Sequence, residues 1–344
     1  MADRSPLAEE DPKDQHAFAR NAKTCRIGVV SDIHYACIAE QDRGDEYELR
    51  SIRNPVLRLL LRTHRNLVWM HDPLRKSYLL DRFLSRVEPL DLLVANGDYS
   101  CDSAFVGVSD PAAQQSVAEC LGKLRSRFGE NFRATIGDHE LGKRSLIGGS
   151  GGMRLSSWTA CQELNLESFW QVEMGKYLLV GIVSSLVALP VFRPDTLPGE
   201  WPDWERLREA HLARLREVFG NLRSDRRVLL FCHDPTALPF LKGDPVIGAR
   251  LRQIEQTFVG HLHTDLVMRA SSLLSRVPGL RLPGHTGRRM SAALREARHW
   301  RDFNVRLCPA LAGIELLKDG GHWVIEIDPE ARAPARFEFH RLPR

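Results

Sequence analysis

Asp32-Ile33-His34 and His261-Leu262-His263 each set two metal-binding side chains two residues apart. Carboxylate and imidazole together suit first-row divalent metals such as Mn, Fe, Co, Ni or Zn, whereas Mg and Ca prefer all-oxygen shells. Three further fragments offer the same groups: Asn96-Gly97-Asp98, Gly137-Asp138-His139-Glu140 and His233-Asp234-Pro235. Singly, each is weak, because an Asp after a strand is more often a turn former or helix cap than a ligand. His71-Asp72-Pro73 repeats the last fragment without a convincing strand before it, and it is given no function.

The elements that must position these groups can be read from hydrophobic patterning. Apolar runs of strand length, Cys25–Ser31, Pro89–Ala95, Phe132–Ile136, Arg227–Cys232 and Gln256–Gly260, lead directly into the five fragments. Other expected strands are Phe169–Glu173, Tyr177–Val183, Gly313–Leu317, His322–Ile327 and Arg336–His340. Val117, Leu121, Leu124 and Phe128 recur at helical spacing, as do Trp204, Leu207, Leu215 and Val218. Alternating strands and helices, with strands crowded at the end, predict a sheet-rich α/β layer fold. In such folds ligands bind outside the carboxyl ends of the strands. In an extended segment residues i and i+2 point the same way, so Asp32 and His34 are expected to reach one cation together. Five fragments in order, with room for crossover helices between them, argue against coincidence.

Taken together, Asp32-x-His34, Gly97-Asp98, Gly137-Asp138-His139-Glu140, His233 and Gly260-His261-x-His263 resemble the signature of the calcineurin-like metallophosphoesterase superfamily, which reads DxH, GD, GNH[DE], H, GHxH. The match spans about residues 27 to 263. The resemblance implies a β-sandwich of two mixed sheets flanked by helices, with two divalent transition metal ions, Mn, Fe or Zn, at the strand ends. It implies that Asp32, His34 and His263 hold one ion, that Asp138, His233 and His261 hold the other, and that Asp98 bridges them. His139 is then the residue that touches the phosphoryl oxygen or protonates the leaving group, a task apt for an imidazole near neutral pH. Two ions about 3.5–4 Å apart lower the pKa of a shared water for in-line attack at phosphorus. The implied activity is phosphoester hydrolysis.

Two departures bear on this. Asp138 stands where the signature has Asn, which keeps an oxygen ligand and adds a negative charge facing an anionic substrate. Members resembling protein phosphatases carry an Asp three residues after the bridging one to orient the catalytic His. That position is Cys101 here, with Asp102 one residue later as the candidate for the same duty.

Composition sets the frame. The chain has 344 residues, 43% apolar and 27% charged, with a net charge of +4, too small to argue for nucleic acid. Seven scattered Cys without CxxC spacing fit a reducing, cytoplasmic setting, and the first residues show no apolar signal-like core. Residues 1–23 are expected to form a flexible arm and residues 24–344 one domain. Two basic segments are expected as insertions. Arg53–Val87 carries seven Arg and one Lys against two Asp, and Arg269–Arg306 carries nine Arg against one Glu and one Asp. Ordinary solvated helix faces account for most such runs. Beside a metal crevice they would also suit an amphiphilic phosphorylated substrate or peripheral contact with an anionic membrane. The resemblance is silent on the substrate, but certain members of the superfamily hydrolyse the pyrophosphate of a UDP-linked diacylglucosamine, and the two Arg/Leu-rich segments favour a substrate of that kind, with both acyl and phosphate parts. A nucleotide or cyclic-nucleotide phosphodiesterase is the alternative, and a metal-holding scaffold without catalysis is the reading from another class. Few aromatics interleave the basic runs, which weighs against single-stranded nucleic acid.

Overall fold

The computed structural model describes residues 24–50, 52–144, 151–264, 268 and 297–344. The expected arm, residues 1–23, and most of the second basic segment lie outside the described residues. Two five-stranded mixed sheets, flanked by helices, make up the α/β sandwich expected from the sequence. In the first sheet β1 (Cys25–Val30), β2 (Leu92–Ala95) and β3 (Phe132–Ala134) run parallel. Antiparallel β9 (Gly321–Ile327) pairs with β1 and is itself paired with β10 (Arg336–Arg341), giving the order β10-β9-β1-β2-β3. The second sheet has the order β4-β5-β6-β7-β8. Here β5 (Tyr177–Ile182), β6 (Arg227–Cys232), β7 (Ile254–Val259) and β8 (Val305–Leu307) are parallel, and β4 (Phe169–Met174) is antiparallel to β5.

Side-chain alternation explains why the strands read as nearly unbroken apolar runs. Ile27, Val29, Leu92 and Val94 from one sheet meet Trp170, Tyr177, Leu179, Leu229, Phe231 and Phe258 from the other in a closed interior. The intervening residues Val30, Leu93, Ala95, Val180, Ile182, Leu230 and Cys232 turn outward and pack under helices. Both faces are therefore buried, as parallel strands require when helices cover the sheet. The expected helices are present as Pro111–Phe128, buried through Val117, Leu121 and Leu124, and Trp201–Gly220, buried through Trp204, Leu212, Leu215 and Phe219.

Two expectations are corrected. Gly313–Leu317 is a turn and not a strand: Gly313 has φ +60°, and the Ile314 N–H donates to the Asp319 carboxylate at 3.0 Å. Its apolar run misleads because Leu316 and Leu317 are exposed. The strand that completes the second sheet is instead β8, at the end of the second basic segment. Only Leu307 of its three residues is buried, and its pairing with β7 is long-range, so no local pattern announces it. The Arg306 guanidinium is not spare charge, for it covers the rings of Trp323 and Phe337 at 4.6 and 4.5 Å.

Candidate metal centre

The carboxyl ends of the two parallel strand sets converge at one edge of the sandwich. Asp32, Asp98 and Asp138 follow β1, β2 and β3, while His233 and His261-x-His263 follow β6 and β7. The edge is stitched across the two sheets. The His233 Nδ1–H donates to the Asn96 carbonyl at 2.6 Å, and the His261 backbone N–H donates to the Asp32 carboxylate at 3.1 Å. Two glycines allow this approach. A Cβ on Gly97, whose φ is +92°, would lie 2.7 Å from the His233 ring, and one on Gly260 would lie 2.5 Å from Asp32 Oδ2.

The expected strand alternation is not what aligns the paired ligands. Asp32 and His34 both have φ of 50°, and Asp98, His261 and His263 have φ of 58° to 59°, all in the left-handed region. Such backbone costs about 1–2 kcal/mol per residue and collects at functional sites. It persists here because the segment after β1 is pinned along the segment after β2, with Asp32 N–H on Gly97 O at 3.0 Å and His34 N–H on Asp98 O at 3.1 Å. Successive left-handed turns, and not an extended chain, bring the i and i+2 side chains together.

Two groups of ligand atoms result. Asp32, His34 and His263 form one, and Asp98, Asp138, His233 and His261 form the other, the atoms of each lying within 4.8 Å of one another. His34, Asp98 and His139 form a third set that places Asp98 between the first two. In the first group His263 Nε2 is 3.4 Å from both His34 Nε2 and Asp32 Oδ1. In the second, His233 Nε2 is 3.1 Å from Asp98 Oδ2 and 3.2 Å from Asp138 Oδ1, and His261 Nδ1 is 2.9 Å from Asp138 Oδ1. Neighbouring ligand atoms about 2.1 Å from a common ion are separated by about 3.0–3.4 Å, depending on coordination number. The spacing fits.

Tautomers fit as well. The Nδ1 atoms of His34 and His233 face the carbonyls of Ser100, at 3.2 Å, and Asn96, at 2.6 Å, which can only accept. Each Nδ1 therefore carries a proton, which leaves Nε2 as the atom that faces the cluster. Asp98 Oδ2 is buried without a hydrogen-bond partner, and His233 Nε2 stands 3.1 Å from it. Burial acts downward on the His233 and His261 imidazoles, but Asp98 and Asp138 outweigh it and raise both, so with no metal bound a proton on these rings balances the carboxylates where a divalent ion would. Burial holds His34 below the ordinary imidazole range and His263 well below it, which keeps both neutral, as ligands must be. At Asp138 burial acts upward, but His261 and His233 outweigh it and keep the carboxyl ionised.

His139 lies in the same wall, its Nε2 3.6 Å from Asp98 Oδ2 and its Nδ1 3.0 Å from the Ser100 carbonyl. Among the described residues no hydrogen bond joins Asp102 to His139. That carboxylate instead accepts the N–H groups of Val106 at 3.1 Å and Gly107 at 2.9 Å. The shift of the acid from position 101 to 102 turns it into the following loop, and a backbone carbonyl orients the imidazole. Burial pushes the Asp102 carboxyl well above its usual range.

The sequence reading gave three residues no role at the metal site. Glu140 braces the site from beneath, accepting the N–H groups of Gly137, Asp98 and Tyr99. Lys143 places its ammonium against His139 Nε2. Its spacing, four residues after His139, was the available signal. Trp69 stacks on the His263 ring, with centroids 5.0 Å apart at 30°.

Trp69 is delivered by the helix Pro55–His64 and the turn Arg65–Trp69 that continues it. This helix is inside out. Arg58 donates to the Ile52 carbonyl, Arg62 pairs with Glu46 at 2.8 Å, and Arg65 is buried. The apolar side faces outward: Val56, Leu59, Leu60 and Leu67 are 62–65% exposed. Among the described residues no helix is long and apolar enough to cross a membrane.

No protein-family model and no curated protein matches the chain. Solved structures similar to it include a phosphopantetheinyl hydrolase from Mycobacterium tuberculosis, with 14% identity and TM-score 0.35 over 70% of this chain and 84% of that one. A dimetal phosphatase from Danio rerio has 13% identity and TM-score 0.42 over 93% and 99% of the two chains. A predicted phosphoesterase from Streptococcus pneumoniae has 11% identity and TM-score 0.25 over 92% and 98%. Likeness this loose says nothing of a substrate, and the chemistry of the site stands on its own residues.

Proposed function

We propose that this chain is a dinuclear-metal-dependent phosphoester hydrolase. The observation that carries the reading is the pair of adjoining ligand groups with the unpartnered Asp98 Oδ2 between them. Asp32, His34 and His263 would hold one divalent ion, Asp138, His233 and His261 the other, and Asp98 both. Imidazole-rich shells favour Mn, Fe or Zn. When bound, the ions supply an acidified water and neutralise charge on the phosphoryl group. The chain's own part is to hold those ligands in strained, pre-set geometry and to present His139 Nε2 to a phosphoryl oxygen or the leaving group.

The substrate we infer is an amphiphilic phosphoester or pyrophosphate. Trp69 joins the metal wall to the outward Val56, Leu59, Leu60 and Leu67 face, so an apolar tail can lie on the helix while its phosphate reaches the ligands. A screen of the Mn²⁺-loaded protein across phosphomonoesters, phosphodiesters, nucleotide pyrophosphates and their acylated counterparts tests both parts. Turnover of none of them, by a protein that holds two metals, would leave a metal-binding scaffold as the function.

A further inference from the structure

Asp138 creates a charge problem that the rest of the site can be asked to solve. With Asp32, Asp98 and Asp138 ionised, three negative charges face the four positive charges of two divalent ions. An amide at position 138 would leave one more positive charge to meet the phosphoryl oxygens. Loss of that charge weakens the attraction on which binding and transition-state stabilisation at phosphorus depend.

Lys143 stands where the deficit falls. Its chain position follows from Gly142, whose φ of +95° ends the short helix Asp138–Leu141 and turns the backbone toward the site. The ammonium reaches His139 Nε2. Since the Ser100 carbonyl takes the Nδ1 proton, Nε2 is an acceptor, and the ammonium donates to it. The same nitrogen faces Asp98 Oδ2 at 3.6 Å, so the charge sits at the rim of the metal wall. Among the described residues no carboxylate forms an ion pair with Lys143. The buried Asp102 carboxyl lies within electrostatic reach of Lys143 but forms no direct ion pair with it, so a half-buried ammonium held on the imidazole that meets the substrate is placed for an anion.

We propose that Lys143 is a substrate-contacting residue that binds the phosphoryl group beside His139 and restores the positive charge that Asp138 removes. This rests on the phosphoesterase reading and adds a specific charge pair to it. An incoming phosphoryl oxygen replaces His139 Nε2 as an acceptor for the ammonium, which frees that nitrogen to take a proton from water and pass it to the leaving group.

Calorimetry of the full chain, with Mn²⁺ and inorganic phosphate as the probes, tests this. Lys143→Gln should weaken phosphate binding to the Mn²⁺-loaded protein about tenfold or more, the worth of one charge-assisted contact. Its Mn²⁺ affinity should be unchanged or higher, because a like charge leaves the site. Lys143→Arg should keep phosphate affinity within about threefold of wild type, since the charge remains. Asp138→Asn should act in the opposite sense, with weaker Mn²⁺ and stronger phosphate binding, and should offset the phosphate defect when combined with Lys143→Gln. A Lys143→Gln protein that binds phosphate as wild type does, or loses Mn²⁺ and phosphate in parallel, overturns the proposal. The wild type separates this from failure of the broader reading. If it takes up no divalent metal, the phosphoesterase assignment falls first and takes the Lys143 role with it.

Discussion

Glu140 and Asp98 are bound to each other's segments through the backbone: Glu140 Oε2 accepts the Asp98 N–H at 3.0 Å, and its other oxygen accepts the Tyr99 N–H at 2.8 Å. The same carboxylate closes on Gly137 N–H at 2.8 Å, so one fully buried side chain fixes the loops after β2 and β3. The contact explains why an acid belongs at the end of the Gly137-Asp138-His139-Glu140 fragment although it does not face the cluster.

Glu140→Ala should therefore cost about 3 kcal/mol or more, because three buried N–H groups lose their acceptor. Urea denaturation of the metal-free protein measures it. A loss below about 1 kcal/mol would mean that water or a neighbouring group replaces the carboxylate.

Asp98→Ala should reduce divalent metal from about two ions per chain to less than one, since a shared carboxylate serves both groups. Elemental analysis after Mn²⁺ loading and desalting gives the number. Full occupancy in the variant would remove Asp98 from its proposed bridging place.

His139→Ala should lower kcat by about 10²–10⁴, the usual worth of a positioned acid or base, with metal content near wild type. Metal lost in step with activity would instead make His139 a ligand, which its place in a third ligand set would permit.

Acid should destabilise the fold through two histidines outside the cluster. Burial pushes His211 and His322 down to about 4. His211 Nε2 accepts the Val183 N–H at 3.3 Å, and His322 packs edge-on to Phe83 with centroids 4.9 Å apart. A depressed folded-state pKa means the unfolded chain binds the proton first, near pH 6.5, so stability is full above that value and falls as pH drops toward 4. Each contributes a loss of about 2 kcal/mol between pH 6.5 and 5. His322→Phe should remove one share of this slope in denaturation midpoints taken across that range. An unchanged slope would show that His322 titrates as an exposed imidazole does.

The outward helix face is tested by Leu60→Glu combined with Leu67→Glu. Both side chains are more than 60% exposed, so folding should change by no more than about 0.5 kcal/mol. The kcat/KM for acylated phosphoesters should fall about tenfold or more as apolar contact is lost, while short soluble phosphodiesters are unaffected. Flotation with anionic vesicles at low and high salt distinguishes a membrane from a free amphiphile as the source of the tail. Equal loss on both substrate types would show that the face serves the catalytic site and not a tail.

By itself the sequence determined the residue types and the strands that carry them. Asp32, Asp98 and His233 each follow an apolar run whose continuity reflects burial on both faces, a local signal that survives without knowledge of partners, while the strands before Asp138 and His261 are interrupted by Arg133 and by Glu255, Gln256 and Thr257. The tertiary structure decided what local patterning does not encode. Left-handed backbone at Asp32, His34, His261 and His263 exists because long-range hydrogen bonds hold it there, against an intrinsic preference for extended chain. Asp102 turned away from His139 because the N–H groups of Val106 and Gly107 offered it closer donors. β8 formed because β7 offered an open edge. The Pro55–His64 helix shows the same limit. Its Leu59-Leu60-Leu61 run beside Arg58 and Arg62 does not say which side packs; the Ile52 carbonyl that holds Arg58, the Glu46 carboxylate that holds Arg62 and the burial of Arg65 decide that Val56, Leu59 and Leu60 face out. Amphipathicity establishes that a helix has two faces, and the energy of its distant contacts chooses which one is hidden.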